Sequence, residues 1–349
     1  AMDYNTNCTT TAAPLSEAIT MMPYVRPASP WPGGAILFRT PDGKVWPFQP
    51  GSKQQVSWID LIFARAGSGK SVLSSVLNLG LLLSPGLSVL PRIAIIDIGP
   101  SSKGFISLLQ EGLPKERRHH ASYRKLTMDE CDAINPFDTQ LGSRYPTRSQ
   151  RSFLINFLGL LLVDDIEDRP FEGAGSMLSM IIDETYKHFS DMEQPRVFVP
   201  GSVPEIEAAC KEHNISIEEG TNWWQIADAL FEKDILDIAL KAQRQAMPTL
   251  ADTISMCHHH SIKDLFAKVT TNTGEDYVSA YCRIIAGVIQ NYPTLTAISQ
   301  LDLEGARVVS LDLQDVARTG SSSANKQTAI MYMLARHILA QDFFLHSSD

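Results

Sequence analysis

Residues 62–71 read Ile-Phe-Ala-Arg-Ala-Gly-Ser-Gly-Lys-Ser, an apolar run ending in Gly67-Ser68-Gly69-Lys70-Ser71 and passing into a second apolar stretch, Ser71 to Leu83. Glycines at 67 and 69 let successive backbone N–H groups turn to one side with no Cβ in the way. A helix that starts there points its positive dipole end the same way. The pattern predicts a strand over Val56 to Phe63 and a helix over Ser71 to Leu83, closed by Ser84-Pro85-Gly86. Between them it predicts a loop in which Ala66, Gly67, Ser68, Gly69, Lys70, Ser71 and Val72 wrap the phosphates of a nucleoside triphosphate. Lys70 is expected to reach the β- and γ-phosphates and Ser71 to ligate Mg2+. The full pattern has glycine six residues before the lysine; Ala64 stands there, the mildest replacement.

Downstream, Arg92 to Asp97 (Arg-Ile-Ala-Ile-Ile-Asp) is a continuous apolar run of the kind buried on both faces of a parallel sheet. Strand, loop, helix and strand make a βαβ unit. Before it, Gly34 to Phe48 holds two short apolar runs around Pro41-Asp42-Gly43, a hairpin signal. From Thr147 to about Thr253 the period becomes helical, with helices expected over 152–163, 173–190, 203–213, 223–231 and 233–246. The sheet pattern returns at Arg307 to Asp312, and 322–344 reads as a final long helix. These shifts divide the chain into an extension (1–29), a first α/β part (30–146), a helical insertion (147–253) expected to fold apart from the sheet, and a return to the α/β core (254–349).

A phosphate-loop enzyme also needs an acid at the end of a neighbouring buried strand to hold Mg2+. Asp97 and Asp312 both end such strands, and either could instead cap a strand or helix. Neither is followed by the glutamate that usually activates water. Guanine recognition would ask for Asn-Lys-x-Asp, and Asn325-Lys326-Gln327-Thr328 lacks the aspartate, which favours ATP.

The net charge of −9 argues against a nucleic-acid protein held by bulk electrostatics. Five scattered cysteines without Cys-x-x-Cys point to reduced thiols in a cytosolic setting. The longest apolar run, Phe153 to Val163, is broken by Asn156 and too short to cross a bilayer. Ala1-Met2 reads as the remnant of a tag or cloning site, so an expressed fragment is expected. Cys257-His258-His259-His260 invites a metal reading, but adjacent histidines point in different directions and no further ligand spacing supports it. His119-His120, within the basic segment Lys115 to Lys125, reads as a solvated face, and Asn135-Pro136-Phe137-Asp138 as a turn.

The order of Gly67-Ser68-Gly69-Lys70-Ser71, Ile95-Ile96-Asp97-Ile98-Gly99, Asn135-Pro136-Phe137, a helical insertion, Val308 to Leu313 and Met331-Tyr332-Met333-Leu334 resembles the C-terminal ATPase domain of conjugation-type secretion ATPases. These are the VirB-four class of type IV secretion, relatives of the TraC and HerA/FtsK motors, and the wording of the segments is nearest to the Dot/Icm branch. The resemblance implies a RecA-like P-loop α/β core with a helical subdomain and ATP hydrolysis with Mg2+. It also implies hexamers at the cytoplasmic face of the inner membrane, working with a second cytoplasmic ATPase and inner-membrane components. It places Asp97 in an aspartate-glycine turn near the phosphates. The Asp-Glu pair of that family lies on a strand after the Met-Tyr-Met-Leu helix, which the resemblance places beyond Asp349.

Overall fold

The structure, a computed structural model, describes residues 12, 14–21, 29–41, 43–55, 57, 59–163, 173–266, 268–271, 274–303, 305–340 and 343. Ala1-Met2, Cys8, Asp42, two residues of the expected strand (Val56 and Trp58) and most of the end of the expected 322–344 helix lie outside them. The chain forms two compact units, residues 1–93 and 94–349. The contact boundary therefore falls at Ile93/Ala94, whereas the change of sequence period falls at 147.

The first unit holds α1 (Leu15–Met21), the hairpin β1 (Ile36–Arg39) and β2 (Val45–Phe48), and α2 (Lys70–Leu82). The hairpin is antiparallel, with Ile36 opposite Phe48 and Arg39 opposite Val45. Thr40 closes its turn by accepting from Gly43 N–H at 2.9 Å and donating its own N–H to Lys44 O at 2.9 Å. Trp46 and Phe48 sit two apart and therefore share a face. They stack at 5.8 Å, and Trp31 packs edge-on to Phe48 at 5.1 Å. Helix α2 approaches the hairpin through Gly80, where a Cβ would come within 2.3 Å of the Ile36 side chain.

The strand expected before the phosphate loop is not formed: Ser57 and residues 59–65 have no strand geometry. Ile59, Leu61 and Phe63 are all exposed, at 78%, 75% and 88%. A strand is held by its ladder, and among the described residues no strand pairs with this segment.

The second unit is built on a three-stranded sheet, β3 (Ile93–Asp97), β4 (Ala121–Lys125) and β5 (Val308–Asp312), in the order β3-β5-β4. Strand β5 is central and buried along its whole length, whereas β3, whose continuous apolar run predicts burial on both faces, is an edge strand with Ala94 exposed. It runs parallel to β4, with Ala121 opposite Val308 and Lys125 opposite Asp312. Around the sheet lie α3 (Lys103–Gly112), α4 (Arg148–Leu161), α5 (Ala174–His188), α6 (Pro204–Glu212), α7 (Trp223–Glu232), α8 (Leu236–Ala246), α9 (Asp252–Cys257), α10 (His260–Phe266), α11 (Tyr277–Asn291) and α12 (Ser322–Ala340). Capping boxes start α4 (Thr147 with Gln150) and α7 (Asn222 with Gln225), satisfying N-terminal amides that no carbonyl can reach.

The helical region packs into the same apolar core as the sheet. Leu154 and Phe157 of α4, Ile181 of α5, Trp224 of α7, Val309 and Leu311 of β5 and Leu334 of α12 belong to one continuous apolar core. The sequence shows the change of period but not this sharing. Among the described residues no helix is long and apolar enough to cross a membrane.

Candidate functional site

Gly67 and Gly69 have φ of +78° and +88°, the left-handed region that an L side chain adopts only at a cost. Between them Ser68 folds back, its N–H and hydroxyl both reaching Arg65 O, at 3.2 and 2.6 Å. Gly69 is the N-cap of α2, and Lys70 is its first residue. No side chain caps this end and no acid lies in its first turn. Leu73 N–H already bonds Gly69 O at 2.9 Å, so the helix is wound from its first turn. The loop and residues 70–72 are exposed. Uncapped amides, a positive helix end and the exposed Lys70 belong to one short stretch of chain, and that donor set suits a polyphosphate.

Asp97 and Asp312 are built differently. The Asp97 carboxylate accepts from Ser101 Oγ and from Ser102 N–H at 3.2 Å, which fixes the turn leading to α3. Asp312 is 1% exposed. Its Oδ1 accepts Gly99 N–H at 2.8 Å and Gln314 N–H at 2.9 Å, and its Oδ2 accepts the Tyr123 hydroxyl at 2.6 Å. Burial alone would raise this carboxyl, but the Tyr123 hydroxyl, the Gln314 and Gly99 amides and the charge of Lys125 outweigh it and hold it below the ordinary value. The Tyr123 phenol is pushed up to about 12, by burial first and then by its bond to Asp312. Beneath them Ser102 and Ser310 share a buried hydroxyl contact of 2.7 Å. Asp312 thus ties together all three strands: the turn after β3, Tyr123 in the middle of β4 and its own β5.

No protein-family model and no curated protein matches the chain. Among solved structures, VirB4 of Thermoanaerobacter pseudethanolicus matches with a TM-score of 0.53 over 90% of this chain and 66% of that one, at 14% identity. The chain shares its fold with VirB4. The likeness fits the expected α/β class with parallel strand pairing, and at this identity it speaks for fold alone.

Several residues singled out by the sequence take structural places in this VirB4-like fold. Asn135 is a buried hub: its N–H bonds Ser299 Oγ at 2.7 Å, its amide donates to Pro248 O at 2.8 Å and to Asp138 Oδ1 at 3.2 Å, and its Oδ1 accepts Phe137 N–H at 3.1 Å. Asp138 beside it borders a cavity of about 470 Å3 with Arg244, Ser299 and His337. Burial pushes the Asp138 carboxyl up to about 6, although Ser299, Arg244 and Asn135 all pull the other way. Asn325 to Thr328 lie in the first turns of α12, where Lys326 donates to Val163 O at 2.6 Å and Gln327 to Val316 O at 2.7 Å. Among the described residues no three of His, Cys, Asp and Glu are grouped to hold a metal, so the run Cys257-His258-His259-His260 forms no such cluster. The His119 and His120 rings lie against one another, 4.2 Å apart and tilted by 42°.

Sequence reasoning missed Tyr123 and Arg244. Tyr123 lies in a basic stretch, and its partner Asp312 is 189 residues away. No local pattern joins them.

Proposed function

We propose that the chain is the ATP-binding motor domain of a type IV secretion ATPase of the VirB4 class, nearest to DotO, also called IcmB, of the Dot/Icm system. The Gly67–Ser71 loop carries this reading: two glycines in the left-handed region lead into an uncapped helix that begins at Lys70. The order of the later motifs and the shared VirB4 fold support it. In this reading the amides of Ala66 to Val72 and the Lys70 ammonium hold the phosphates, the Ser71 hydroxyl takes Mg2+, and Asp97 orders the second strand's turn. ATP with Mg2+ supplies the phosphoanhydride whose cleavage drives the motor. The core is RecA-like with 147–253 as a helical insertion. The complete protein assembles as a hexamer on the cytoplasmic face of the inner membrane, beside a second cytoplasmic ATPase and inner-membrane components, and energises export or machine assembly.

A second reading, a nucleotide-ordered scaffold with little turnover, is favoured by one observation. In the motor reading Asp312 acts with Lys70 in catalysis, yet its carboxylate is engaged by three donors, and neither it nor Asp97 precedes a glutamate. A HerA/FtsK-like DNA translocator is disfavoured by the charge of −9.

Calorimetry with Mg2+ and ATP on the wild type and Lys70→Ala tests the binding. Loss of the ammonium from the β/γ-phosphates should weaken affinity about 30-fold or more, an estimate from charge-assisted hydrogen bonds of about 2 kcal/mol or more. Equal affinities would overturn the phosphate-loop reading. Ser71→Ala should weaken only the Mg2+-dependent part, and steady-state phosphate release then separates motor from scaffold.

A further inference from the structure

Between the start of α4 and the end of α12, within the second unit, lies a cavity of about 400 Å3 that the nucleotide reading does not use. Gln150 lines it and is only 6% exposed. Its Oε1 is engaged, accepting Thr147 N–H at 3.0 Å in the capping box of α4. That bond fixes which way the amide is turned, and the Nε2 left over is buried with no hydrogen-bond partner among the described residues. A buried donor without an acceptor is costly, and a ligand that brings the acceptor recovers the cost. One wall of the cavity is aromatic: Phe153 of α4 and His337 of α12 stack with ring centroids 3.6 Å apart and planes 2° from parallel. Burial pushes His337 down to about 4, so its ring is neutral at pH 7. Met333 adds apolar surface. Among the described lining residues there is no acid, and the exposed Arg336 is the one cation at that pH. Asp138 borders a neighbouring cavity, which shares Gln140 and His337 with this one.

We propose that this cavity binds a small planar aromatic carboxylate, with its ring against the Phe153–His337 wall and its carboxylate between the Gln150 amide donor and the Arg336 guanidinium. The donors select the charge. An unpaired N–H beside a cation, with no acid on the lining, asks for an anionic acceptor. One cation and one amide suit a monoanion; a phosphate dianion needs more donors, and the Gln150 backbone N–H that could serve it is already held by Thr147 Oγ1 at 3.3 Å. A planar guanidinium also matches the two oxygens of a carboxylate. The walls select the body, since a flat apolar ring buries its faces against Phe153, His337 and Met333 where an aliphatic polyol would lose water for nothing. A volume of about 400 Å3 is that of an ordinary small-molecule pocket. The site is independent of the Gly67–Ser71 loop, which belongs to the first unit.

The test titrates 6-fluoro-2-naphthoate into the full chain at pH 7 and follows the fluorine line width. Saturable broadening is expected, with a Kd of about 1 mM or tighter for a ligand of this size. Gln150→Glu keeps an oxygen for Thr147 N–H, and so the helix cap, but replaces the free donor with a second acceptor. Arg336→Met removes the charge from an exposed helical position at little cost to the fold. Each should weaken binding about tenfold or more. 2-Fluoronaphthalene, which lacks the carboxylate, should bind about tenfold more weakly than the naphthoate and ignore Arg336→Met. Lys70→Ala should bind the naphthoate as the wild type does. Circular dichroism of each variant reports whether it is folded. No saturable binding to the wild type, wild-type affinity in either folded cavity variant, equal affinity for the uncharged probe, or loss of binding in Lys70→Ala would each overturn the assignment.

Discussion

The phosphate loop and the Asp312 sheet end are both polar, both read from the sequence as parts of one chemistry, and they are built in opposite ways. At Gly67–Ser71 the amides are uncapped, the surface is open and two residues sit at positive φ. At Asp312 every carboxylate oxygen has a donor and the group is buried. Groups with unused hydrogen-bonding capacity are free to take a ligand, whereas a fully satisfied buried carboxylate holds strands together. In the proposed reading the loop does the binding and the buried acid serves the architecture.

The strongest way to break this contrast is to remove the helical region. Replacing 147–253 with a short linker should abolish cooperative unfolding of the second unit, because Leu154, Phe157, Ile181 and Trp224 share their core with Val309 and Leu311. Urea unfolding followed by circular dichroism decides it; a retained cooperative transition with protected β5 amides would mean the sheet stands alone. Next in size is Asp312→Ala, which strands the Gly99 and Gln314 amides and the Tyr123 hydroxyl. The expected loss is about 3 kcal/mol, since each buried group left unpaired costs about 1–3 kcal/mol and some regain water. The Asp312 contribution also has a pH sign. Its folded pKa is depressed, so the stabilisation is present above the unfolded value of about 4 and is lost as pH falls below it. A folded Asp312→Asn protein with unchanged stability and lost phosphate release would instead make the acid catalytic.

The sequence made the loop legible because its constraint is local: five consecutive residues set the turn, the donors and the helix start. Strands β3 and β5 were legible as continuous apolar runs ending in aspartate. Strand β4 was not, since Ala121–Lys125 has no apolar run and ends in two exposed cations, so its strand character comes from pairing with β5. Helix α11 was missed although Asp276 caps it and Tyr277, Ala280, Tyr281, Ile285 and Val288 mark its buried face at helical spacing. The segment before the loop fails in the other direction: its apolar run suits a strand, but among the described residues no strand pairs with it.

Asp138 sharpens the comparison from a third position, because it is an acid whose surroundings oppose its charge. With a folded pKa near 6, above the unfolded value of about 4, ionisation costs the fold stability that is present at low pH and lost as pH rises through 6. The shift corresponds to about 3 kcal/mol. Asp138→Asn removes that cost but leaves Arg244, 3.8 Å away and 16% exposed, without its charge partner. The net gain expected at pH 8 is therefore about 1–2 kcal/mol, falling towards zero at pH 5. Urea midpoints across that range check the prediction, and a pH-independent difference would refute the proposed titration.

The smallest expected effect lies in the loop itself. Gly69→Ala places a Cβ where no atom stands within 4 Å, so nothing is crowded and the cost is torsional, from φ of +88°. That cost is about 1 kcal/mol for a single L residue held in the left-handed region. If the loop keeps its conformation when ATP binds, the strain falls on the free and the bound protein alike, and Gly69→Ala should lower the unfolding free energy with little change in affinity. If instead the variant relaxes to negative φ when free, the strain must be restored on binding, and affinity should fall about fivefold, the equivalent of about 1 kcal/mol. The second outcome is expected, because the loop is exposed and its first described neighbours, residues 64–66, carry no helix or strand to hold it. Calorimetry with Mg2+ and ATP, paired with thermal unfolding of the same variant, separates the two. An affinity equal to wild type with a lowered melting temperature would show that the loop is rigid before its ligand arrives, and the contrast with the fixed Asp312 end would then rest on hydrogen-bond capacity alone.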